Sequence, residues 1–124
     1  MIKTTGEGLP YQTRFTNGQD AALADTTKDK GGNGSGFRPH ELLEAALASC
    51  MNMAVRMHAE KLSIPITGVS TTVRLDRSNP DEVVFDCNLE IEGDMTDEDR
   101  RRLSEVARSC PVRTTLSKTL KFKD

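Results

Sequence analysis

Residues 42–57 carry Leu42, Leu43, Ala45, Ala46, Leu47, Ala48, Cys50, Met51, Met53, Ala54, Val55 and Met57, apolar side chains at almost every angle around a helix. Pro39 opens this helix, because a proline in the first turn gives up only an N–H that would be unpaired anyway. Glu41 and Glu44 lie near its positive end and Lys61 near its negative end, so the predicted span is 39–62. A helix without a polar face must be covered on all sides. The rest of a 124-residue chain that is 35% apolar, or about 42% with its nine glycines, supplies a modest core against the roughly 45–50% of ordinary domains. A second copy of the chain is the economical cover.

Around this helix the pattern is that of short strands and one further helix. Residues 2–8, then Leu9 to Thr16, then Gln19 to Asp25 read as strands, with Asn17-Gly18 as a type I′ hairpin turn. In 68–77, Val69, Thr71, Val73 and Leu75 share a face. In 82–92, Val83, Phe85, Cys87, Leu89 and Ile91 share another, with Ser78-Asn79-Pro80-Asp81 as the turn between the two strands. Thr96 is the N-cap of a second helix, with Asp99 three residues on and an inward stripe of Leu103, Val106, Ala107 and Cys110. Pro111 ends it. A short helical turn over 111–117 and a last strand over 119–123 complete an α+β order in one domain, 1–124.

Several function classes are excluded or left without support. A formal charge of −2 argues against an electrostatic grip on nucleic acid, and Arg100-Arg101-Arg102 reads as a solvated helix face. No apolar run reaches the roughly 18–20 residues of a membrane span, and the first residues contain no apolar signal core, so a cytoplasmic place is expected. The glycine-rich stretch 26–36 lacks the Lys-Ser/Thr ending of a phosphate loop, since Phe37-Arg38-Pro39 follows it, and reads as a mobile connector or lid. His40 and His58 have no metal-ligand spacing with each other or with a cysteine; neither a metal nor a cofactor is expected.

Three cysteines without a C-x-x-C pair leave packing or redox chemistry. Cys87, on an apolar strand face, reads as a small core residue. Cys50 lies mid-helix, away from either dipole end, with His58 about 12 Å along the axis at 1.5 Å per residue, and alone it reads as a buried structural thiol. Cys110 is placed like the N-cap of the turn that Pro111 opens, where backbone N–H groups favour a thiolate, yet it also completes an apolar stripe. Both readings of Cys110 stay open at this level.

The stretch Gly34-Ser35-Gly36-Phe37-Arg38-Pro39-His40-Glu41-Leu42-Leu43-Glu44-Ala45-Ala46-Leu47-Ala48-Ser49-Cys50, followed by Cys110-Pro111-Val112-Arg113-Thr114-Thr115-Leu116, resembles the OsmC/Ohr family of osmotically inducible and organic-hydroperoxide-resistance proteins. Met53 to Met57 and the acidic helix start at Gly93 to Glu98 fit the OsmC-like branch. The resemblance implies an intertwined homodimer in which antiparallel sheets wrap long central helices. It implies reduction of organic hydroperoxides, with Cys50 as attacking thiol, Cys110 as resolving thiol and a dithiol as reductant. Active members also use an arginine from the N-terminal sheet and a glutamate ten residues before the first cysteine. Here that position is His40, with Glu41 one later. The implied activating pair is therefore Glu41 with Arg14, and Arg38 is the rival arginine. Position 113, often His in relatives, is Arg. Met51, Met53 and Met57 are implied core or interface filler, or the lining of a pocket for a hydroperoxide tail. A dimer that binds a small apolar ligand without catalysis is the alternative.

Overall fold

The computed structural model describes residues 1–124, and the chain gathers into two compact units, Met1–Leu43 and Glu44–Asp124. In the first unit, β1 (Lys3–Gly6), β2 (Thr13–Thr16) and β3 (Ala21–Ala24) form an antiparallel sheet in the order β1-β2-β3. Thr16 faces Ala21 across the hairpin, so four residues, not two, make the turn. Gly18 has φ 102°, but Asn17 does not enter the left-handed region. The Asn17 side chain instead accepts the backbone N–H groups of Gln19 at 2.9 Å and Asp20 at 2.8 Å. The expected hairpin is present, and the expected type I′ turn is replaced by an asparagine-capped one, because that side chain offers the backbone an alternative partner.

The loop after β3 is tied at its neck. Asp25 donates its backbone N–H to Phe37 O at 3.0 Å, and Phe37 donates its own to Leu23 O at 3.3 Å. Within the loop, the Asp25 carboxylate accepts backbone N–H groups from Thr26 at 2.8 Å, Asn33 at 3.1 Å and Ser35 at 3.1 Å. A Cβ at Gly32 would collide with Thr26 O, so the close turn requires glycine there. The glycine-rich segment expected to be a mobile connector is a laced loop around its own carboxylate.

Helix α1 (Pro39–Lys61) begins in the first unit and continues in the second. Its end is a Schellman closure, with Ser63 at φ 55°, Ser63 N bonded to Glu60 O at 3.1 Å and Ile64 N to Ala59 O at 2.8 Å. The second unit adds β4 (Ile66–Asp76), β5 (Val84–Gly93), α2 (Asp97–Arg108) and α3 (Pro111–Leu116). Strands β4 and β5 pair antiparallel with Val73 opposite Cys87. Their inner face carries Val69, Val73, Phe85, Cys87 and Leu89, as the alternation predicts; Val83 falls just outside β5 and is exposed. Thr96 caps α2 as expected, its Oγ1 accepting from Asp99 N at 3.1 Å.

The core of this unit joins Leu47, Met51, Val55 and Ala59 of α1 to Leu103 and Ala107 of α2. Cross-links fix the layers: Asn52 Nδ2 donates to Val69 O at 2.9 Å, Thr71 Oγ1 to Ala48 O at 2.8 Å, and Arg100 to Ile91 O at 2.7 Å. Only one side of α1 is consumed in this way. Met53 and Met57, on the other side, are 56% and 70% exposed. The strand expected over 119–123 is not formed. Lys118–Asp124 have no ladder partner, and Phe122 is 89% exposed, so alternation alone does not make a strand there.

Candidate redox site

Cys50 sits at the middle of α1, half-buried against the core. No helix end is near it in sequence, but one is near in space. The backbone N–H of Val112, in the first turn of α3, donates to Cys50 Sγ at 3.5 Å. α3 is brought there by Cys110, which is its N-cap residue with extended backbone, φ −61° and ψ 149°. Cys110 is 1% exposed and belongs to the core cluster against which Cys50 packs. The helix pattern and the Cys-Pro break therefore converge: α2 buries its stripe, Pro111 forces a new start, and the turn between them delivers the second thiol to the first.

The N-cap position does not make Cys110 a thiolate. Burial pushes its thiol above the ordinary value, the backbone N–H groups of Arg113 and Val112 pull it down by less, and the neighbouring Cys50 raises it further. Desolvation wins over the helix terminus because the side chain is enclosed by the core. This corrects the reading in which the capping position activates Cys110 and leaves the more accessible Cys50 as the thiol open to an incoming molecule. Both cysteines are free.

Cys50 opens onto a groove of about 720 Å³ lined mainly by Ala46, Met53, Ala54, Met57, Pro111 and Val112, with His58 and Lys61 further along α1. Met53 and Met57 thus line a pocket, whereas Met51 is core. A half-buried thiol on an apolar groove, with a second, buried thiol two residues before the Val112 N–H that contacts it, is an arrangement that can support two-electron thiol chemistry.

The two other expected residues lie in the first unit. Glu41 accepts the Arg38 backbone N–H on Oε2 at 2.9 Å and the Arg38 Nε–H on Oε1 at 2.9 Å. It occupies the third helical position, and Arg38 O accepts from Leu42 N, so Glu41 is the reciprocal half of a capping box. The Arg38 backbone N–H and then its guanidinium hold the Glu41 carboxyl below the usual glutamate range. Arg14 projects from β2, exposed and without an ion-pair partner, between Thr5 and Leu23 in the sheet register. The structure brings Cys50 to Cys110 and Glu41 to Arg38, and it gives Arg14 no carboxylate. The capping role of Glu41 could have been read from Arg38-Pro39-x-Glu41. The Val112 N–H had no sequence signal, since a backbone group 62 residues away leaves none.

Cys87 stands apart from the pair, half-buried on the inner face of β5 with Sγ donating to Phe85 O at 3.5 Å. No group of three or more His, Cys, Asp or Glu side chains is arranged to hold a metal ion. No helix is long and apolar enough to cross a membrane.

A family profile described as OsmC-like protein matches residues 32–123. No curated protein matches the chain by sequence. Among solved structures, an OsmC-like protein from Mycoplasma pneumoniae superposes with TM-score 0.75 at 21% identity, over 96% of this chain and 87% of that one. An organic hydroperoxide resistance protein from Legionella pneumophila gives 0.66 at 23% identity, over 94% and 88%. The organic hydroperoxide resistance protein of Bacillus subtilis gives 0.63 at 18% identity, over 96% and 90%. At these identities the likeness is one of fold: α+β, with antiparallel sheets and helices in a shared arrangement.

Proposed function

Because the chain belongs to the OsmC-like protein family, we propose that it reduces organic hydroperoxides by thiol chemistry at Cys50 and Cys110, as a homodimer in the cytoplasm. The observation that carries this reading is that a half-buried Cys50 lines an apolar groove, packs against the core cluster that holds Cys110, and accepts the backbone N–H of Val112 two residues beyond Cys110.

The Cys50 sulfur, as thiolate, attacks the terminal oxygen of R–O–O–H. The O–O bond breaks, Cys50 becomes a sulfenic acid, and the alkoxide leaves as R–OH after taking a proton. The Val112 N–H, already directed at the sulfur, steadies it through the step. Cys110 then yields its proton and attacks the sulfenic sulfur. A Cys50–Cys110 disulfide forms and the sulfenic oxygen leaves as water. A dithiol returns both thiols by exchange and is itself oxidised to its disulfide. Met53, Ala54 and Met57 offer the apolar surface for the alkyl group.

Arg14 and Glu41 are assigned to activation of the attacking sulfur. Glu41 is shared with Arg38, which already holds both of its oxygens, so Arg38 competes with Arg14 for the carboxylate. The second copy of the chain is assigned to the open side of α1, closing over the groove so that Met53 and Met57 lie at both the interface and the alkyl site.

Thiol titration before and after one equivalent of cumene hydroperoxide tests the reading. Two thiols per chain should disappear and return with a dithiol. If all three remain titratable, the chain is instead a dimer that uses its apolar groove to hold a ligand without reacting.

A further inference from the structure

A second cavity of about 260 Å³ lies in the same unit, on the consumed side of α1 rather than the open side that carries the groove. Met51 of α1, Cys87 of β5, Ser104, Ala107 and Arg108 of α2, and Arg113 of α3 line it. Its size is just below the roughly 300–1,000 Å³ of ordinary small-molecule pockets. Its lining differs from the first groove in bringing two cations and a thiol together.

The charge of those two cations is unspent. The ion pairs of the chain are Arg38–Glu41, Arg74–Asp86, Arg101–Glu105 and Arg102–Glu98. Neighbouring arginines of α2 are thus neutralised along the outer helix face, while Arg108 and Arg113 have no carboxylate partner. Arg108 and Arg113, both exposed at their own positions, line the cavity from different helices, and the planar fork of a guanidinium suits a carboxylate. Cys87 is free, half-buried and outside the Cys50–Cys110 pair, and only the weak contact to Phe85 O engages its thiol.

We propose that this cavity is a thiol-modification site, where Cys87 exchanges with low-molecular-weight disulfides that carry a carboxylate and Arg108 and Arg113 dock that carboxylate. Cys87 gives up its proton, and its sulfur attacks one sulfur of R–S–S–R. A Cys87–S–S–R bond forms, the S–S bond of the reagent breaks, and the leaving thiolate takes up a proton as R–SH. The small disulfide is the oxidant, and the product is a mixed disulfide whose carboxylate stays on the arginines. The exchange requires no peroxide and is independent of the Cys50 reaction.

The test uses the Cys50→Ser/Cys110→Ser protein, in which Cys87 is the only thiol. It is treated with dithiodipropionate, with neutral hydroxyethyl disulfide and with cationic cystamine, and the rate of mixed-disulfide formation is followed by intact mass. Each rate is divided by the rate for the same chain unfolded in urea, which removes the intrinsic reactivity of the reagent. The anionic reagent should be favoured over the cationic one by about tenfold in the folded protein. Arg108→Gln and Arg113→Gln should each reduce that preference, and high salt should do the same without any substitution. Peptide mass analysis of Cys87 in the wild-type chain gives the same comparison should the double variant not fold. A folded protein that shows no preference for the anionic reagent, or whose Cys87 does not react until urea is added, overturns the proposal.

Discussion

The backbone N–H of Val112 points at the sulfur of Cys50 across 3.5 Å, although 62 residues separate them. The contact places Cys50 beside the turn that holds Cys110, so the two thiols share one local environment while belonging to different helices. Their difference in exposure then divides the labour. In the proposed reaction the half-buried sulfur meets the incoming molecule, and the buried one attacks the sulfenic acid.

That division predicts distinct products by intact mass. Wild-type protein given excess tert-butyl hydroperoxide should lose two hydrogens as a disulfide. Cys110→Ser should gain one oxygen and then a second, because no neighbouring thiol captures the sulfenate. Cys50→Ser should gain none at this site and lose turnover with a dithiol, since a serine hydroxyl near neutral pH does not replace a thiolate. Oxygen added to Cys110 in the Cys50→Ser protein would reverse the assignment.

The raised thiol value of Cys110 has a consequence for stability. Burial disfavours its charged form, so the unfolded chain releases this proton at lower pH than the folded one. The contribution of Cys110 is therefore complete below the ordinary thiol range and declines as pH rises through and above it. The urea-unfolding stability of wild type relative to Cys110→Ala should shrink between neutral and strongly alkaline pH. A gap that widens would mean that the N–H groups of Arg113 and Val112 outweigh burial.

Asp25 gives the opposite sign. It is 3% exposed, and the Ser35 N–H, opposed by burial and helped by the N–H groups of Thr26 and Asn33, holds its carboxyl below the usual aspartate range. Its contribution is complete above that range and is lost as pH falls through the lowered folded value. Asp25→Asn should lose hydrogen-exchange protection at Asn33 and Ser35 and reduce the steepness of acid unfolding. Unchanged exchange at both amides would show that the loop holds without its carboxylate.

Glu41 is a cap as well as a proposed activating residue, and the two roles separate experimentally. Glu41→Gln keeps a side-chain oxygen for the Arg38 N–H, so helix stability should change little. The rate of Cys50 oxidation should fall severalfold. Arg14→Ala should lower that rate while leaving stability unchanged, and Arg38→Ala should cost stability. Equal oxidation rates for Arg14→Ala and wild type would remove Arg14 from the reaction.

Met53 and Met57 test the second copy. Introducing charge on the face assigned to the proposed second copy should leave the core residues Leu47, Met51 and Val55 untouched. Met53→Glu/Met57→Glu should shift sedimentation toward the monomer. A dimer that survives both substitutions places its interface elsewhere.

The residues that declare themselves locally were readable from the chain. Thr96 before an acidic turn, the period-two faces of β4 and β5, and the long apolar run of α1 each encode structure through neighbours a few residues away. The order and spacing of Cys50 and Cys110 likewise carried the family resemblance. Elements that depend on a partner in space were not readable. Leu120 and Phe122 alternate like a strand but find no ladder, and Asn17-Gly18 has the sequence of a tight turn but spends the asparagine side chain on its own backbone. The reactivity of Cys110 turned on whether burial or a helix terminus dominates, and the lacing of the glycine-rich loop turned on where Asp25 points. Sequence by itself determined the two longer helices and the paired strands β4 and β5, because capping and periodicity are local, and it carried the Cys50 and Cys110 motifs on which the family resemblance rests. Only the tertiary structure decided that Val112 meets Cys50, that Cys110 is desolvated, and that Arg108 and Arg113 share a cavity with Cys87, because each is a relation between groups that the chain must fold to bring within reach.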